Sequence, residues 1–379
     1  MKVLHICNGY VGSRVHTNLY RELDALGLEQ TIFTCVYKKE EIDKNRFESK
    51  NTEFVYANVL RPFYRPFYHV KKWIISFSLE KRIRAKDYDC IHATTLFTDG
   101  AQAYELNKKY GIPYVVAVRN TDLNLFLEKV PYAWSLGRKI LLNATRIVFI
   151  SKAMASTFEN HHVIAPIVSK IRDKFILCPN GVDSYWLQNV DHTTRTGKNI
   201  LYVGDFSQNK NVKRVIDAVL SLSSIPRYSD IHLTLVGGGS SVNGVTGNSS
   251  EQEVLQLIDG NKDRISFLGK IYDRPKLREV YSKSDVFVMP SIHETFGLVY
   301  VEALSQNIPV VFSANQGIDG FFSAKAGERV NPLSVSEIKA AIMKIIENHS
   351  SYSNEDIDFQ SFDWSFIAEK YLVLYNSLI

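Results

Sequence analysis

Apolar and polar positions along this chain fall into two alternating rhythms. Near-continuous apolar runs occur at Val3–Cys7, Thr31–Cys35, Cys90–Ala93, Tyr114–Val118, Arg146–Ile150 and Phe175–Cys178, as expected of strands covered on both faces. Between them apolar residues recur every three or four positions, for example over Val15–Leu26 and Gly100–Tyr110, which predicts helices. A turn-rich stretch, NGVD at 180–183, and a polar run at Asp191–Asn199 then break the pattern. The alternation resumes with strands at Ile200–Val203, His232–Val236, Ile265–Phe267, Val286–Met289 and Val310–Phe312. Helical spacing covers about Val212–Leu222, Glu251–Asp259, Lys276–Ser282, Leu298–Gln306 and Val335–Asn348, and an amphipathic terminal helix lies within 359–379.

Strands alternating with helices predict an α/β protein with parallel sheets. The break near 191 divides it into an N-terminal Rossmann-like domain over 1–190 and a second doubly wound domain over 191–358. A length of 379 residues agrees with two cores rather than one. Ligands of such sheets bind beyond the carboxyl ends of the strands, so two in tandem predict a cleft between those ends.

Composition changes this picture little: 45% hydrophobic and 22% charged residues are ordinary for a globular chain and exclude disorder. Charge changes it more. The net +5 is uneven, with the excess of basic residues in the first half. Over Arg61–Lys86 eight basic residues meet one acid, Glu80, with Phe63, Tyr64, Phe67, Tyr68 and Trp73 interleaved. That stretch reads either as peripheral adhesion to an anionic membrane or lipid-linked substrate, or as a solvated basic helix and loop. No nucleic-acid-binding module accompanies the charge, so nucleic acid is not expected. Cys7, Cys35, Cys90 and Cys178 lie far apart inside or beside apolar runs, which predicts buried free thiols and a reducing, cytoplasmic setting. The first apolar run is too short for a signal peptide, and no run is long enough to span a bilayer.

Candidate chemistry gathers at three places. The first strand ends in NGYVGS (8–13) and enters a helix. Glycine there either serves the turn or lets backbone amides approach an anion, with Gly12 the candidate contact. VGGG at 236–239 follows a strand without the GxGxxG spacing; it reads first as a tight exit turn, with backbone contact at Gly237 open. MPSIHETFGLVYVEA (289–303) is more informative. A strand ends at Met289, a loop carries Glu294, Gly297 opens a helix and Glu302 lies within it. Helix-start amides around Phe296–Val299 would face phosphate, while two acids eight apart would reach hydroxyls of different parts of one ligand.

This segment resembles the Glu-seven-residues-Glu motif of glycosyltransferase family four, a family of GT-B fold. YVGDFSQNKN (202–211), LTLVGGG (233–239), residues 265–269, residues 277–291 and NIPVV (307–311) match the order of the same family, and the first half resembles its partner domain more loosely. The resemblance implies a retaining glycosyltransferase that moves a sugar from a nucleoside-diphospho-sugar to a glycan or lipid-linked acceptor, in a setting such as capsule, exopolysaccharide or lipopolysaccharide assembly. It implies that the terminal helix, 359–379, returns to the N-terminal domain. It also implies roles. Lys210 would pair with the donor diphosphate and Glu302 with the ribose. Glu294 would face the transferred sugar. Gly204, Gly237, Thr295, Phe296, Gly297 and Leu298 would line the donor, and Gly12 would approach the sugar-phosphate. No Asp-x-Asp metal motif is evident where a divalent ion would serve the departing diphosphate, so neither a metal nor another cofactor is expected. Two departures stand out. Asp205 replaces an Arg of the family, leaving Lys210 alone or with Lys213 or Arg214. Arg119 replaces a His, and its planar fork suits an anion rather than a proton relay, with Asp122 to orient it. Rival readings are an epimerase of the same fold and a catalytically degenerate, sugar-nucleotide-binding partner subunit.

Overall fold

The computed structural model describes residues 1–239, 241–242, 245–246 and 249–379. The chain divides into two compact units: Met1–Ile150 with Met154–Gly181 and Ser361–Ile379, and Val182–Gln360 with Ser151–Ala153. The first boundary therefore falls at Gly181, ahead of the polar run at 191–199, because NGVD is the turn that leaves the first sheet.

The first unit is a seven-stranded, all-parallel sheet of order β3-β2-β1-β4-β5-β6-β7. Its strands are β1 (Lys2–Ile6), β2 (Glu29–Val36), β3 (Thr52–Asn58), β4 (Cys90–Ala93), β5 (Tyr114–Ala117), β6 (Arg146–Phe149) and β7 (Phe175–Leu177). Around them lie α1 (Arg14–Ala25), α2 (Tyr68–Arg82), α3 (Thr98–Tyr110), α4 (Trp134–Asn143), α5 (Lys152–Asn160) and the one-turn α6 (Val168–Ile171). The inner strands β4 and β5 are buried along their whole length, which is why their apolar runs carry no period-two alternation. The edge strand β3, TEFVYAN, has one fully buried residue, and the sequence pattern gave no sign of it.

The second unit repeats the plan with six parallel strands, β12-β9-β8-β13-β14-β15. In chain order its elements are α7 (Ser184–Gln188), β8 (Asn199–Gly204), α8 (Val212–Ser223), β9 (His232–Gly237), the small hairpin β10 (Ser241–Val242) and β11 (Val245–Thr246), and α9 (Ser249–Asp259). Then come β12 (Ile265–Phe267), α10 (Arg274–Ser282), β13 (Val286–Val288), α11 (Leu298–Ser305), β14 (Val310–Ser313), β15 (Gly327–Val330) and α12 (Val335–Glu347). The last helix, α13 (Trp364–Asn376), belongs to the first unit and packs on α1. Ile367, Ala368, Tyr371 and Tyr375 join Leu19, Tyr20 and Leu23 in one buried cluster. Each such large side chain contributes about 1.5–3 kcal/mol on full burial.

All four cysteines are buried and free. Burial pushes the thiols of Cys7, Cys35 and Cys90 up to about 12, so they are poor nucleophiles. Among the described residues no helix is long and apolar enough to cross a membrane.

Candidate active site

In the second unit, two segments distant in sequence are laced together at the carboxyl ends of β8 and β13. Asn209 donates from Nδ2 to the carbonyl of His293 at 3.0 Å and accepts at Oδ1 from its amide at 3.0 Å. The Ile292 amide donates to the Asn209 carbonyl at 2.8 Å. Buried Asn211, in a left-handed conformation (φ 61), donates to the carbonyls of Pro290 at 2.9 Å and Pro332 at 2.6 Å. These bonds hold the side chain between the two asparagines against the acid loop. Lys210 Nζ lies 2.6 Å from Oε2 of Glu294, in a pair only 24% and 10% exposed.

Glu294 is held from several sides. Its Oε2 also accepts from Ser291 Oγ at 3.3 Å, its Oε1 from the Thr295 amide at 3.0 Å, and its own amide donates to Gln316 at 3.2 Å. The carbonyl of Glu294 accepts from the Gly317 amide at 3.1 Å. The carboxylate is thus fixed before any ligand arrives, as a preorganised group must be. Gly297 follows at φ 84, where a Cβ would lie 2.4 Å from the Tyr300 ring; only glycine opens α11 this way. No side chain caps α11, which leaves the amides of Leu298 and Val299 free to meet an anion. Phe296 is buried against Phe321, so it can offer a ligand its backbone and not its ring.

Glu302 is half-buried on α11, with Oε2 accepting from Tyr281 Oη at 3.3 Å. Burial raises its carboxyl from 4.5 to about 7, and the Tyr281 bond opposes this only in part.

Asp205 is exposed, and its Oδ1 accepts the Ser207 amide at 2.8 Å. It therefore shapes the turn leading to Lys210. Lys213 pairs with Glu253 at 2.8 Å and Arg214 donates to Asn211 at 2.8 Å, so the structure gives neither to Glu294. Gly204 and Gly237 sit in register at the ends of β8 and β9. A Cβ on Gly237 would come within 1.9 Å of the Gly204 carbonyl, so close strand approach requires this glycine. The amide of Gly239 donates to Glu251 at 2.5 Å, and VGGG is a tight exit turn.

The first unit gathers a different set. Gly12 ends a single 3-10 turn after β1, and Ser13 caps α1 by accepting the Val15 amide at 3.3 Å. Gly12 has no positive φ, and a Cβ there meets nothing within 4 Å, so local geometry does not demand glycine. Past β5, Arg119 is half-buried and its Nε donates to the Thr94 carbonyl at 3.2 Å. Asp122 does not reach that guanidinium. It is fully buried and accepts three backbone amides: Leu96 at 3.0 Å, Phe97 at 3.1 Å and Arg119 at 2.9 Å. Both oxygens are engaged in clipping two loops, and Asp122 orients Arg119 through its backbone amide rather than its guanidinium. Burial raises its carboxyl to about 6 against those three bonds.

Several residues of these networks carried no role in the sequence reading: Asn209, Asn211, Ser291, Gln316 and Tyr281, and in the first unit a buried chain from His5 to His92 (3.3 Å) to Tyr375 Oη (2.7 Å). The asparagines lay inside a matched stretch, but nothing in their spacing marked them.

Two parallel-sheet Rossmann-like units, one bearing a Lys–Glu pair beside an uncapped helix start, are the architecture of a GT-B glycosyltransferase. Residues 188–357 match the family model for glycosyl transferases group 1, and residues 12–185 match that for glycosyltransferase family 4. The chain belongs to this glycosyltransferase family. A putative teichuronic acid biosynthesis glycosyltransferase, TuaC of Bacillus subtilis, is 22% identical over 91% of this chain and 89% of its own length. Among solved structures, sucrose-phosphate synthase from Thermosynechococcus elongatus superposes with a TM-score of 0.74 at 19% identity, over 100% of this chain and 99% of that one. Anabaena Alr3699/HepE in complex with UDP does so with a TM-score of 0.70 at 18% identity, over 100% of both chains. At these identities the solved structures establish the fold.

Proposed function

We propose that this glycosyltransferase takes a nucleoside-diphospho-sugar as donor and transfers its sugar, with retention, to a hydroxyl of a glycan or lipid-linked acceptor in cell-surface polysaccharide synthesis. The observation that carries the reading is the 2.6 Å pair of Lys210 and Glu294, set in the same loop system as the uncapped start of α11. A cation and helix amides answer the charge that builds on a departing diphosphate. A fixed carboxylate beside them accepts hydrogen bonds from sugar hydroxyls. Glu302 takes the ribose hydroxyls, and backbone at Gly204, Gly237 and Thr295–Leu298 lines the donor.

In the step itself, the acceptor oxygen bonds to the anomeric carbon as the bond to the diphosphate breaks. The acceptor proton passes to the leaving phosphate oxygen. Lys210 moves from Glu294 toward that phosphate. No metal is required by this scheme, and turnover unchanged by a chelator is its expected mark. Gly12 lets the donor phosphate come close to the backbone, since no side chain stands there; its amide is itself bonded to the Gly9 carbonyl at 3.0 Å. Arg119 holds an anionic group of the acceptor or the donor phosphate, with Asp122 fixing its backbone.

Family membership supports retention, and the UDP in the Anabaena neighbour makes UDP-sugars the first donors to try. The use of Asp205 in a turn weakens the degenerate-subunit reading, because its departure from the family has a local structural reason. A thermal-shift panel of UDP-, GDP- and dTDP-sugars tests the donor site: one class should raise the melting temperature, and stabilisation by none would overturn it. Product formed without any acceptor, at the sugar C2, would instead favour an epimerase.

A further inference from the structure

The helix α2 is apolar on both faces, and only one is used by the fold. Its inner face is pinned: Tyr68 Oη donates to the Phe97 carbonyl at 2.8 Å, Ser76 Oγ to Gln102 Oε1 at 2.6 Å, and Ile75 and Leu79 are buried. Its outer face continues a run begun just before the helix. Phe63 is 63% exposed, Phe67 58%, Val70 46%, Trp73 66% and Phe77 63%. The steps from 67 to 70, 73 and 77 keep these residues on one side. Trp73 and Phe77 stack with ring centroids 6.0 Å apart. A merely solvated basic helix would carry polar residues here.

Basic side chains frame this face. Of the charged residues in 61–86, eight are basic and one is acidic. At the carboxyl end of α2 a cavity of about 400 Å³ is lined by Lys81, Arg82, Arg84 and Lys86, with Glu80 and Tyr110. Arg84 exposes 83% of its side chain and makes a 3.5 Å surface pair with Asp87, just past this stretch, of the kind that exchanges readily for another anion. Glu80, the single acid, is already paired with Lys109 at 3.1 Å.

We propose that the outer face of α2 is a docking surface for an anionic lipid bilayer. Phe63, Phe67, Val70, Trp73 and Phe77 enter the headgroup boundary, and Lys81, Arg84 and Lys86 meet lipid phosphates. The face is aromatic and well exposed, and the charge over 61–86 is almost of one sign; both suit a bilayer better than a folded partner of mixed charge. The pinned inner face holds α2 rigid on the first sheet, so docking would orient that unit. This surface is independent of the donor chemistry and would stand if that reading failed.

Co-sedimentation with vesicles of phosphatidylcholine alone, and of phosphatidylcholine mixed with phosphatidylglycerol, tests it. The protein should bind the mixed vesicles at low salt, leave them at high salt, and ignore the neutral ones. Trp73→Ala/Phe77→Ala and Lys81→Glu/Arg84→Glu should each reduce partitioning about tenfold or more. All four positions are exposed, so melting temperature and hydrolysis of nucleotide sugar in solution should match the unsubstituted chain. Failure to bind anionic vesicles, or binding equally strong in both double variants, overturns the proposal. So does a dimer in solution that Trp73→Ala/Phe77→Ala dissociates, since the face would then belong to a second copy.

Discussion

The ends of the two sheets solve the same problem differently. In the second unit, β8 and β13 deliver ionised side chains that hold one another: Lys210 on Glu294 at 2.6 Å, with Ser291 and the Thr295 amide completing the carboxylate. In the first unit the carboxylates are withdrawn. Asp122 and Asp99 are buried, burial raises both, and each is satisfied by neighbouring loops. Asp99, for instance, accepts from Asn8 Nδ2 and from Thr94 Oγ1, both at 2.7 Å. What remains for a ligand there is the guanidinium of Arg119 and the open space over Gly12, whose amide is bonded to the Gly9 carbonyl. One end is built to exchange ion partners, the other to present a positioned cation on a rigid loop.

If that contrast is right, removing the exchangeable pair does the most damage. Lys210→Ala should lower kcat by about 10²–10³. Glu294→Gln should do comparable harm, and the double variant should cost little beyond the worse single one, because coupled groups are not additive. Steady-state transfer assays measure this, and independent, multiplying losses would contradict it. Arg119→Ala should weaken acceptor kcat/KM by about 2 kcal/mol, the scale of a charge-assisted hydrogen bond. Donor hydrolysis should be unaffected if the anion belongs to the acceptor. Arg119→Lys should restore little, since a fork is not a point charge.

The third effect is a pH dependence. Glu302 has its carboxyl raised from 4.5 to about 7, so it is protonated below that value and ionised above it. Only the carboxylate can accept from both ribose hydroxyls, so donor KM should fall as pH rises from about 6 to about 8, and Glu302→Gln should flatten the profile. The stability term has the opposite sign. Its contribution is present below 4.5 and is lost as pH rises through about 7. Glu302→Gln should therefore melt progressively higher, relative to the unsubstituted chain, in alkaline buffer. The smallest structural effect is expected at Gly12. Gly12→Ala meets no neighbour within 4 Å and should leave the melting temperature unchanged while impairing turnover. An unfolded variant, or one of full activity, would remove Gly12 from the account.

The same contrast governs what the sequence disclosed. Buried strands were legible to within a residue or two because both faces of a parallel sheet demand apolar residues. β3 and β15 were not, since TEFVYAN is half-exposed at an edge and GERV buries only Val330. The donor-side acids were visible as a motif, but the 2.6 Å contact of Lys210 with Glu294 spans 84 residues and depends on Asn209 and Asn211, whose hydrogen bonds have no periodicity. That Asp122 orients Arg119 through a backbone amide, while clipping the loop at Leu96 and Phe97, needed the fold to be seen. Residues 61–86 showed their charge in sequence, whereas the outward direction of Trp73 and Phe77 needed the packed inner face of α2.

The central claim is that Lys210 serves the diphosphate while Glu302 serves the nucleoside. Calorimetric titration of the unsubstituted chain, Lys210→Ala and Glu302→Ala with the stabilising nucleotide and with its nucleoside tests it directly. Lys210→Ala should weaken the nucleoside diphosphate and leave the nucleoside alone, while Glu302→Ala should weaken both. Unchanged diphosphate binding in Lys210→Ala would contradict the account.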